Sequence, residues 1–348
     1  LRGRGFKAVP VFWIATEDHD FEEVSKIEVI DSKCELAAIS NEPKRCYDNL
    51  PVGYVKLDDS IKASIDQLFN SLSHTEFTDD IRKTIEDAWS SGTDYGDAFA
   101  RLLTRLLGKY GIIVLCPLDA RLKRLATPVY VEAINRSDEI VAALRERSEE
   151  LEKAGYHAQV HVAEDYFPLF WQAKDRTRHA LKKSESGTFK TKDIDREFSL
   201  EELAELAEKE PERFSPSVVL RSVVQDFLLP TVCYFGGAAE IAYFAQSSEV
   251  YRILGRPVTP ILHRQSFTIV ETRHAKTMNK YGLDFRDFFE GIEVLQPRIV
   301  ERYLNKDLAS VFEDVESNIE RELDRLDRGL TELEPTLAES LESRRRKI

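Results

Sequence analysis

Cysteine and methionine are scarce in this sequence, which has 348 residues but only four Cys and one Met. The cysteines, Cys34, Cys46, Cys116 and Cys233, lie far apart, and no two of them form a C-x-x-C pair. In a chain of this length that pattern argues against a disulfide framework and against a structural zinc site. It is typical of a reduced compartment, and we therefore expect a cytoplasmic protein.

Basic residues are also fewer than acidic residues. The sequence has 49 Lys and Arg against 62 Asp and Glu, which gives a formal net charge of −13. Proteins that bind nucleic acid need a basic face, and so do proteins that attach to anionic membrane surfaces. The charge balance therefore argues against nucleic acid and against a membrane as partners.

A long uninterrupted apolar run is the third absence. The longest candidate, "LLPTVCYFGGAAEIAYFA" (residues 228–245), contains Pro230, a Gly-Gly pair and Glu240. These residues argue against a membrane span and predict a buried strand, a tight turn and a helix. The first ten residues, "LRGRGFKAVP", are too short and too weakly apolar for a signal peptide. Because they lack Met and lead at once into a strand, we expect the chain to be a fragment.

What is present has the order of an α/β protein. Three apolar runs without alternation, residues 8–15, 112–117 and 230–235, predict parallel strands that are covered on both faces. The second run follows "YGDAFARLLTRLLGKYG", whose apolar residues recur at i, i+3 and i+4 and predict an amphipathic helix. A helix, a short turn and an apolar strand in succession indicate an α/β fold. The hydrophobic content of 42% is enough to bury a sizeable core.

The segments predict four parts. Residues 1–154 and 199–305 are expected to form two parts of one core, the first with a helical insertion. Residues 155–198 are polar or alternating and predict a β-rich connecting insertion, directly before a capping box at Ser199 and Glu202. Residues 306–348 predict a coiled coil with a kink or restart at Pro335, because apolar residues recur there at steps of three and four. This tail seam consists of Phe312, Val315, Ile319, Leu323, Leu326, Leu330, Leu333, Leu337 and Leu341.

A charged cluster follows the first predicted strand, in "VPVFWIATEDHDFEEV". Ligands of open α/β sheets bind beyond the carboxyl ends of the strands, so Glu17, Asp18, His19 and Asp20 are candidate catalytic residues. Asp18 and Asp20 are also candidate ligands of Mg²⁺. We expect the flanking carboxylates to raise the pKa of His19 toward protonation. The alternative is a helix N-cap, which explains one acidic residue but does not explain the histidine.

A second candidate site follows the third predicted strand, in "CYFGGAAE". Gly236 and Gly237 would allow backbone N–H groups to approach an anion at a helix N-terminus, although a plain tight turn explains the same spacing. Glu240 and Tyr243 lie one turn apart on the following helix and could face the same crevice.

Polar residues on two neighbouring segments complete the candidates. Arg221 and Gln225 are i, i+4 partners on an otherwise apolar helix, with Asp226 adjacent. Such polar groups are either exposed or paired inside a site. Arg264 follows a short strand and could meet a carboxylate or a phosphate, although a surface position is the commoner outcome for an arginine.

Taken together, these stretches resemble the bacillithiol biosynthesis cysteine-adding enzyme family, BshC. The matching stretches are "VPVFWIATEDHDFEEV", "YGDAFARLLTRLLGKYGIIVLCPLDARLKRL", "AGYHAQVHV" and "FSPSVVLRSVVQDFLLPTVCYFGGAAEIAYFAQ", in the family's order. The family's "EDHD" corresponds to residues 17–20, its "QDFLLPT" supplies Gln225 and Asp226, and its "GG-x-x-EI-x-Y" supplies the glycines with Glu240 and Tyr243. Two departures are Cys116, where the family usually has Asp, and His263, where it has Pro before Arg264.

The resemblance implies a Rossmann-like core with connective insertions and a coiled coil. It also implies an activity, the joining of cysteine to glucosaminyl-malate. Because a carboxylate and an amine do not condense unaided, we expect ATP as cosubstrate, with magnesium as a candidate metal, and the apolar tail seam predicts a homodimer through the coiled coil. Two other classes stay open from the residues alone. One is a different nucleotidyl- or phosphoryl-transfer enzyme on the same fold. The other is a non-catalytic protein that docks through its coiled coil.

Overall fold

The computed structural model describes residues 2–5, 7–44, 48–303 and 306–333. The chain divides into two units, Leu1–Arg264 and Gln265–Ile348. The strands are β1 (Val11–Trp13), β2 (Lys26–Ile30), β3 (Leu36–Ser40), β4 (Ile113–Leu115), β5 (Tyr166–Gln172), β6 (Arg178–Lys183), β7 (Phe189–Thr191), β8 (Glu197–Phe198), β9 (Phe214–Pro216), β10 (Tyr234–Gly236) and β11 (Ile261–His263).

The helices alternate with these strands in the first unit and follow one another in the second. They are α1 (Glu22–Ser25), α2 (Ser60–Ser71), α3 (Thr78–Ala88), α4 (Tyr95–Leu107), α5 (Ala120–Asn135), α6 (Ser137–Lys153), α7 (Leu200–Lys209), α8 (Val218–Leu228), α9 (Ala238–Ile253), α10 (Thr272–Tyr281), α11 (Ile292–Tyr303) and α12 (Lys306–Leu333). Short 3₁₀ turns lie at Arg2–Arg4, Val52–Tyr54, Gly108–Tyr110, Pro211–Arg213 and Phe285–Glu290.

The three predicted strands are present and parallel, but they form two separate pairs. Strand β1 pairs with β4, and β10 pairs with β11. The prediction that they are buried on both faces is wrong, because Phe12, Ile113 and Phe235 are exposed. Phe12 does meet the ring of Phe99 on α4, with 5.9 Å between the ring centres, but that contact leaves Phe12 partly open to solvent. An apolar run without alternation therefore does not by itself show that both faces of a strand are buried.

Helix α4 forms where the periodicity predicts it, but its buried side differs from the expected leucine stripe. Tyr95, Gly96 and Ala98 are buried, whereas Phe99 and Leu106 are exposed. Glycine is needed for the closest approach, since a Cβ at position 96 would lie 2.5 Å from Cγ2 of Thr16. The first turn of α4 therefore packs against the segment that follows β1.

The predicted β-rich segment forms most of a five-stranded antiparallel sheet in the order β8-β7-β6-β5-β9. Its edge strand β9 comes from residues 214–216, beyond the predicted insertion, and pairs with β5. Alternation over residues 156–171 predicts β structure, and only the second half of that stretch, from Tyr166, lies in a strand, β5. The sheet packs on α5, α6 and α7 to α9, and together they bury the main hydrophobic core.

Several local signals are confirmed. The capping box at the start of α7 is present, with Ser199 and Glu202 exchanging hydrogen bonds. Helix α9 starts at Ala238 after the Gly-Gly turn and is closed by Gly255, which has a φ of +62°. A capping box and a left-handed glycine satisfy helix ends through neighbouring residues alone, which explains why sequence reasoning finds them.

The second unit contains α10, α11 and α12. Gly282, at φ +60°, ends α10, and the phenol of Tyr303 on α11 donates to the backbone carbonyl of Lys280 at 3.1 Å. Helix α12 carries the described part of the tail seam. Phe312, Val315, Ile319 and Leu326 are all exposed there. Pro335, Leu337 and Leu341 lie outside the described residues.

Candidate functional site

The charged cluster lies directly after β1, as the α/β pattern predicts. Glu17 is buried, Asp18 and Asp20 are exposed, and the His19 side chain is 34% exposed. The backbone N–H of His19 donates to Oδ1 of Asp18 at 2.8 Å, so Asp18 closes a tight local turn. The four residues therefore have different environments, although they are consecutive in sequence.

Glu17 forms a buried ion pair with Lys123 of α5. The two side chains are in direct contact, and both are less than a tenth exposed. The ammonium of Lys123 also donates to the backbone carbonyl of Phe214 in β9 at 2.6 Å. Burial lowers the pKa of Lys123, and Glu17 opposes that change. This carboxylate therefore joins β1 to α5 and, through Lys123, to β9, and its expected catalytic role stays a prediction.

His19 contacts Arg178, a residue that the sequence analysis did not single out. Nη1 of Arg178 lies 3.2 Å from Nδ1 of His19 and 3.7 Å from Oδ1 of Asp18. A guanidinium can only donate hydrogen bonds, so Nδ1 of His19 accepts one here. In the neutral ring the proton then resides on Nε2, which leaves Nε2–H as the group His19 can offer to a ligand.

The expectation that His19 has a raised pKa is wrong. Burial lowers its pKa below the ordinary value of 6.5, and the charge of Arg178 lowers it further, whereas Asp18 and Asp20 raise it by less. Desolvation disfavours the charged imidazolium, and a nearby guanidinium repels it. His19 is therefore a neutral hydrogen-bond donor near pH 7.

Arg178 begins β6 and is held by several elements. Its Nε donates to Oγ of Ser215 at 2.9 Å, its Nη2 donates to the carbonyl of Pro216 at 3.3 Å, and its guanidinium lies 3.6 Å from the ring centre of Phe170. Only 8% of Arg178 is exposed. The antiparallel sheet therefore delivers a buried cation to the carboxyl end of β1.

A backbone bridge joins this strand end to the antiparallel sheet. The amide of Val52 donates to the carbonyl of Asp18 at 2.7 Å, and the amide of Arg178 donates to the carbonyl of Asn49 at 2.8 Å. Asn49 has a φ of +63°, in the left-handed region that asparagine tolerates better than most residues. Residues 49–52 therefore set the distance between Asp18 and Arg178.

The second cluster gathers around the start of α9. Nη2 of Arg221 donates to the phenol oxygen of Tyr243 at 2.6 Å and lies 3.6 Å from Oε1 of Glu240. The phenol of Tyr234, which the sequence analysis did not single out, donates to Oε1 of Glu240 at 2.6 Å. Burial raises the pKa of Tyr243, so this phenol stays protonated. The structure therefore brings Glu240 and Tyr243 together, as the sequence predicts, and adds Arg221, for which the sequence predicts only a paired or exposed position.

The Gly-Gly turn is a close-packed cap in this structure. The amide of Gly237 donates to Oε2 of Glu240 at 2.8 Å, so an internal carboxylate already occupies the amide expected to receive an anion. A Cβ at Gly236 would lie 2.9 Å from Cβ of Glu240. Arg264 lies across Gly237, where a Cβ would approach its Nη2 to 3.1 Å. The tight turn accounts for both glycines.

Two predicted binding residues on α8 lie apart from these groups. Asp226 is buried and pairs with Arg256 at 2.8 Å, so its carboxylate is already neutralised. Oε1 of Gln225 is buried and has no hydrogen-bond partner among the described residues. Among those same residues, no three His, Cys, Asp or Glu side chains come close enough together to hold a metal ion.

Parallel strand pairs with polar clusters at their carboxyl ends, followed by a long helix, define a protein of the Rossmann-like class with a coiled-coil extension. Two family models match the chain: the N-terminal Rossmann-like domain of bacillithiol biosynthesis BshC over residues 3–265, and the C-terminal coiled-coil domain of BshC over residues 267–348. The chain belongs to the BshC family. This confirms the expected fold class.

Curated relatives agree with the family models. The chain is 36% identical over its whole length to a protein of Solibacter usitatus named "Putative cysteine ligase BshC", and it spans 64% of that protein. It is 35% identical over 99% of its length to a protein of the same name from Salinibacter ruber, and it spans 62% of that one. The chain thus spans less than two thirds of the curated relatives it matches. No helix in the described residues is long and apolar enough to cross a membrane.

The buried ion pair gives a stability prediction. Lys123→Met leaves Glu17 buried without a partner and is expected to lower the free energy of unfolding by ~3–5 kcal/mol. Glu17→Met combined with Lys123→Met removes both charges and is expected to recover most of that loss. Urea denaturation of the purified chain measures both changes.

Lys56→Met is the matched control. Lys56 pairs with Asp94 at 2.9 Å, but both side chains are more than a third exposed. Loss of such a surface pair is expected to cost less than ~1 kcal/mol. Equal losses for Lys123→Met and Lys56→Met would contradict a dominant role for the buried pair.

Proposed function

We propose that this chain is part of an ATP-dependent ligase that joins cysteine to glucosaminyl-malate and so forms bacillithiol. The observation that carries the proposal is family membership along the whole chain, together with relatives named cysteine ligases. A cytoplasmic location, where these small molecules are made and used, belongs to the same proposal.

The chemistry of the proposed reaction defines what a site must do. A carboxylate and an amine do not condense unaided in water, so ATP first converts the cysteine carboxyl group into an adenylate or acyl phosphate. The glucosamine nitrogen then attacks the acyl carbon, the bond from that carbon to the phosphate oxygen breaks, and the nitrogen loses a proton. Negative charge grows on the leaving phosphate and on the acyl oxygen. Fixed donors that face those oxygens would lower the barrier.

His19 is the proposed catalytic donor at the end of β1. In the neutral ring Nδ1 accepts a hydrogen bond from Arg178, so the ring proton is on Nε2. The Nε2–H group can then donate to an oxygen that gains negative charge in the reaction. Asp18 and Asp20 would add oxygen ligands to Mg²⁺ that arrives on the ATP phosphates, a mode in which the protein needs to supply only one or two carboxylates. Magnesium is proposed in that form only.

Arg221, Tyr243 and Glu240 are proposed to bind substrate as a unit, with Arg264 at the rim of the α9 turn. Glu240 would have to leave the amide of Gly237 before that amide could meet a phosphate. Asp226 is assigned no contact with substrate, because Arg256 holds it.

The proposed activity has a direct test. The full-length protein that contains this chain is incubated with ATP, cysteine and glucosaminyl-malate, and bacillithiol is sought by mass spectrometry; the chain of 348 residues alone is expected to be inactive. We expect product only when all three substrates are present. ATP turnover without dependence on cysteine would favour a different nucleotidyl- or phosphoryl-transfer enzyme. No nucleotide binding at all would favour a non-catalytic coiled-coil protein.

His19→Ala removes the proposed donor and is expected to lower the rate of bacillithiol formation by a factor on the order of 10²–10³, with little change in melting temperature. His19→Gln retains an amide N–H near the position of Nε2 and is expected to recover part of the rate. His74→Ala is the matched control, because His74 is an exposed histidine near Asp79. Turnover of His19→Ala within a few-fold of the unchanged protein would show that His19 is structural.

We propose, further, that the tail seam on α12 forms a homodimer. Phe312, Val315, Ile319 and Leu326 are exposed on this highly charged helix, Leu323 and Leu330 are half-buried, and a coiled coil would bury all six. A chain shortened to end before Phe312 is therefore expected to lose self-association in multi-angle light scattering. An unchanged oligomeric mass after the truncation would place the dimer contact elsewhere or assign the seam to packing within one chain.

A further inference from the structure

A buried histidine on β6 has no part in the site described above. His179 follows Arg178 directly, and the two side chains belong to opposite faces of the strand, because successive residues of a strand alternate. His179 is paired in register with Trp171 of β5, and the two ring centres lie 6.4 Å apart. A titratable ring is therefore enclosed in the antiparallel sheet, one residue from the cation that contacts His19.

The hydrogen bonds of His179 fix where its ring proton lies. Oγ1 of Thr177 donates to Oδ1 of Asp175 at 2.6 Å, and this bond lowers the pKa of the Asp175 carboxyl, so the carboxyl is ionised. A threonine hydroxyl has one proton to donate. Nε2 of His179, which lies 2.7 Å from the same hydroxyl, must therefore donate to it. In a neutral ring Nδ1 of His179 is then an acceptor.

Nδ1 of His179 faces a carboxylate, which is a second acceptor. Oδ2 of Asp193, in the connection between β7 and β8, lies 3.6 Å from Nδ1. Nδ1 is buried and has no hydrogen-bond partner among the described residues. A lone pair and a carboxylate repel each other, whereas an imidazolium carries a proton on both nitrogens and would donate a charge-assisted hydrogen bond. The contact between His179 and Asp193 is therefore attractive only when Nδ1 carries a proton.

Asp193 also contacts the left-handed residue of the backbone bridge, Asn49. Nδ2 of Asn49 donates to Oδ2 of Asp193 at 3.3 Å, and this is the same oxygen that faces His179. The backbone carbonyl of Asn49 accepts from the amide of Arg178 at 2.8 Å. Asp193 therefore holds the side chain of the residue whose backbone spaces Arg178 from Asp18.

The other charges near His179 come from two further segments. Asp175, in the turn before β6, acts on the ring through its electrostatic attraction for a protonated His179. The guanidinium of Arg213, in the 3₁₀ turn before β9, lies 4.5 Å from the ring centre of Trp171, which packs beside His179. Arg213 opposes a second proton on the ring, but it pairs with Glu210 at 3.2 Å, which offsets its charge. Asp193 is thus the carboxylate that faces Nδ1 directly.

We propose that His179 and Asp193 are positioning residues for the site at the end of β1. A proton on Nδ1 of His179 holds the carboxylate of Asp193, and that carboxylate holds Asn49 and with it the position of Arg178. Loss of the proton releases Asp193 and loosens the bridge. Neither residue touches the reactants. This inference rests on the proposed function, in which Arg178 orients the donor His19.

Amide hydrogen exchange of the purified chain tests the positioning role without any turnover. The reporter is the amide of Arg178, which bonds to the carbonyl of Asn49. We expect Asp193→Ala to lower the protection of this amide at least tenfold, while the amides within α5 keep theirs. Asp165→Ala is the matched control, because Asp165 pairs with Lys182 and is 38% exposed, against 40% for Asp193. Equal protection in Asp193→Ala and in the unchanged chain would overturn the proposal.

The pH dependence of the same exchange separates a proton-dependent contact from a fixed one. Between about pH 5 and pH 8, where histidine gains and loses its charge, we expect the protection of Arg178 relative to α5 to fall as the pH rises. His179→Gln cannot take up a proton and is expected to give a flat profile. A profile of unchanged slope in His179→Gln would overturn the part assigned to the proton. Asp193→Ala must flatten the profile too, and this half-exposed position decides the point if His179→Gln does not fold.

Turnover of the full-length protein connects the pair to the reaction. We expect Asp193→Ala to slow bacillithiol formation at least tenfold, Asp193→Glu to recover part of the rate because it keeps the charge, and Asp165→Ala to leave the rate unchanged. An unchanged rate in Asp193→Ala, with lowered protection of Arg178, would overturn the positioning role alone. Lowered protection in that variant, with no bacillithiol formed even by the unchanged protein, would refute the proposed function alone.

Discussion

The contact between Glu17 and Lys123 is the constraint on which the arrangement of the first unit depends. It fixes the end of β1 against α5, and through the carbonyl of Phe214 it also fixes β9. The exposed Asp18 and the half-buried His19 follow Glu17 directly in the chain. The buried ion pair of Glu17 with Lys123 therefore sets their positions. Such a pair contributes little net stability relative to apolar residues, but it leaves few alternative geometries when both charges must stay satisfied.

Arg178 makes the antiparallel sheet part of the candidate site. The parallel strand pairs alone would present two carboxylates and an imidazole at a strand end, and the attraction between those carboxylates and an imidazolium would favour a protonated histidine. Burial of the imidazole and a guanidinium from β6, which lies over the ring of Phe170, together reverse that preference by lowering the pKa of His19, and the guanidinium fixes the tautomer. The connecting segment therefore determines the chemistry that His19 can perform, and it is more than a link between the two parts of the core.

Sequence analysis predicted the interactions between residues that are close together in the chain and missed those between residues that are far apart in it. The Ser199 capping box and the turn into α9 depend on residues within one helical turn, and both were predicted. Lys123 and Arg178 were missed because their partners lie 106 and 159 residues away in the chain. The same limit explains the wrong sign for the pKa of His19, since its sequence neighbours are acidic but its surroundings are set by burial and by Arg178. Apolar runs located the parallel strands, yet they could not show which faces stay uncovered, because the number of strands in a sheet is not a local property.

The bridge formed by residues 49–52 has a consequence for how substitutions in this family are interpreted. Asn49 holds a left-handed backbone and accepts from the amide of Arg178, while Val52 binds the carbonyl of Asp18. A β-branched residue at position 49 would push the backbone out of that conformation and move the arginine relative to the aspartate. A mutational screen that measures only activity would then identify Asn49 as a residue that contacts the reactants. Its role in this structure is instead to set the distance between Asp18 and Arg178.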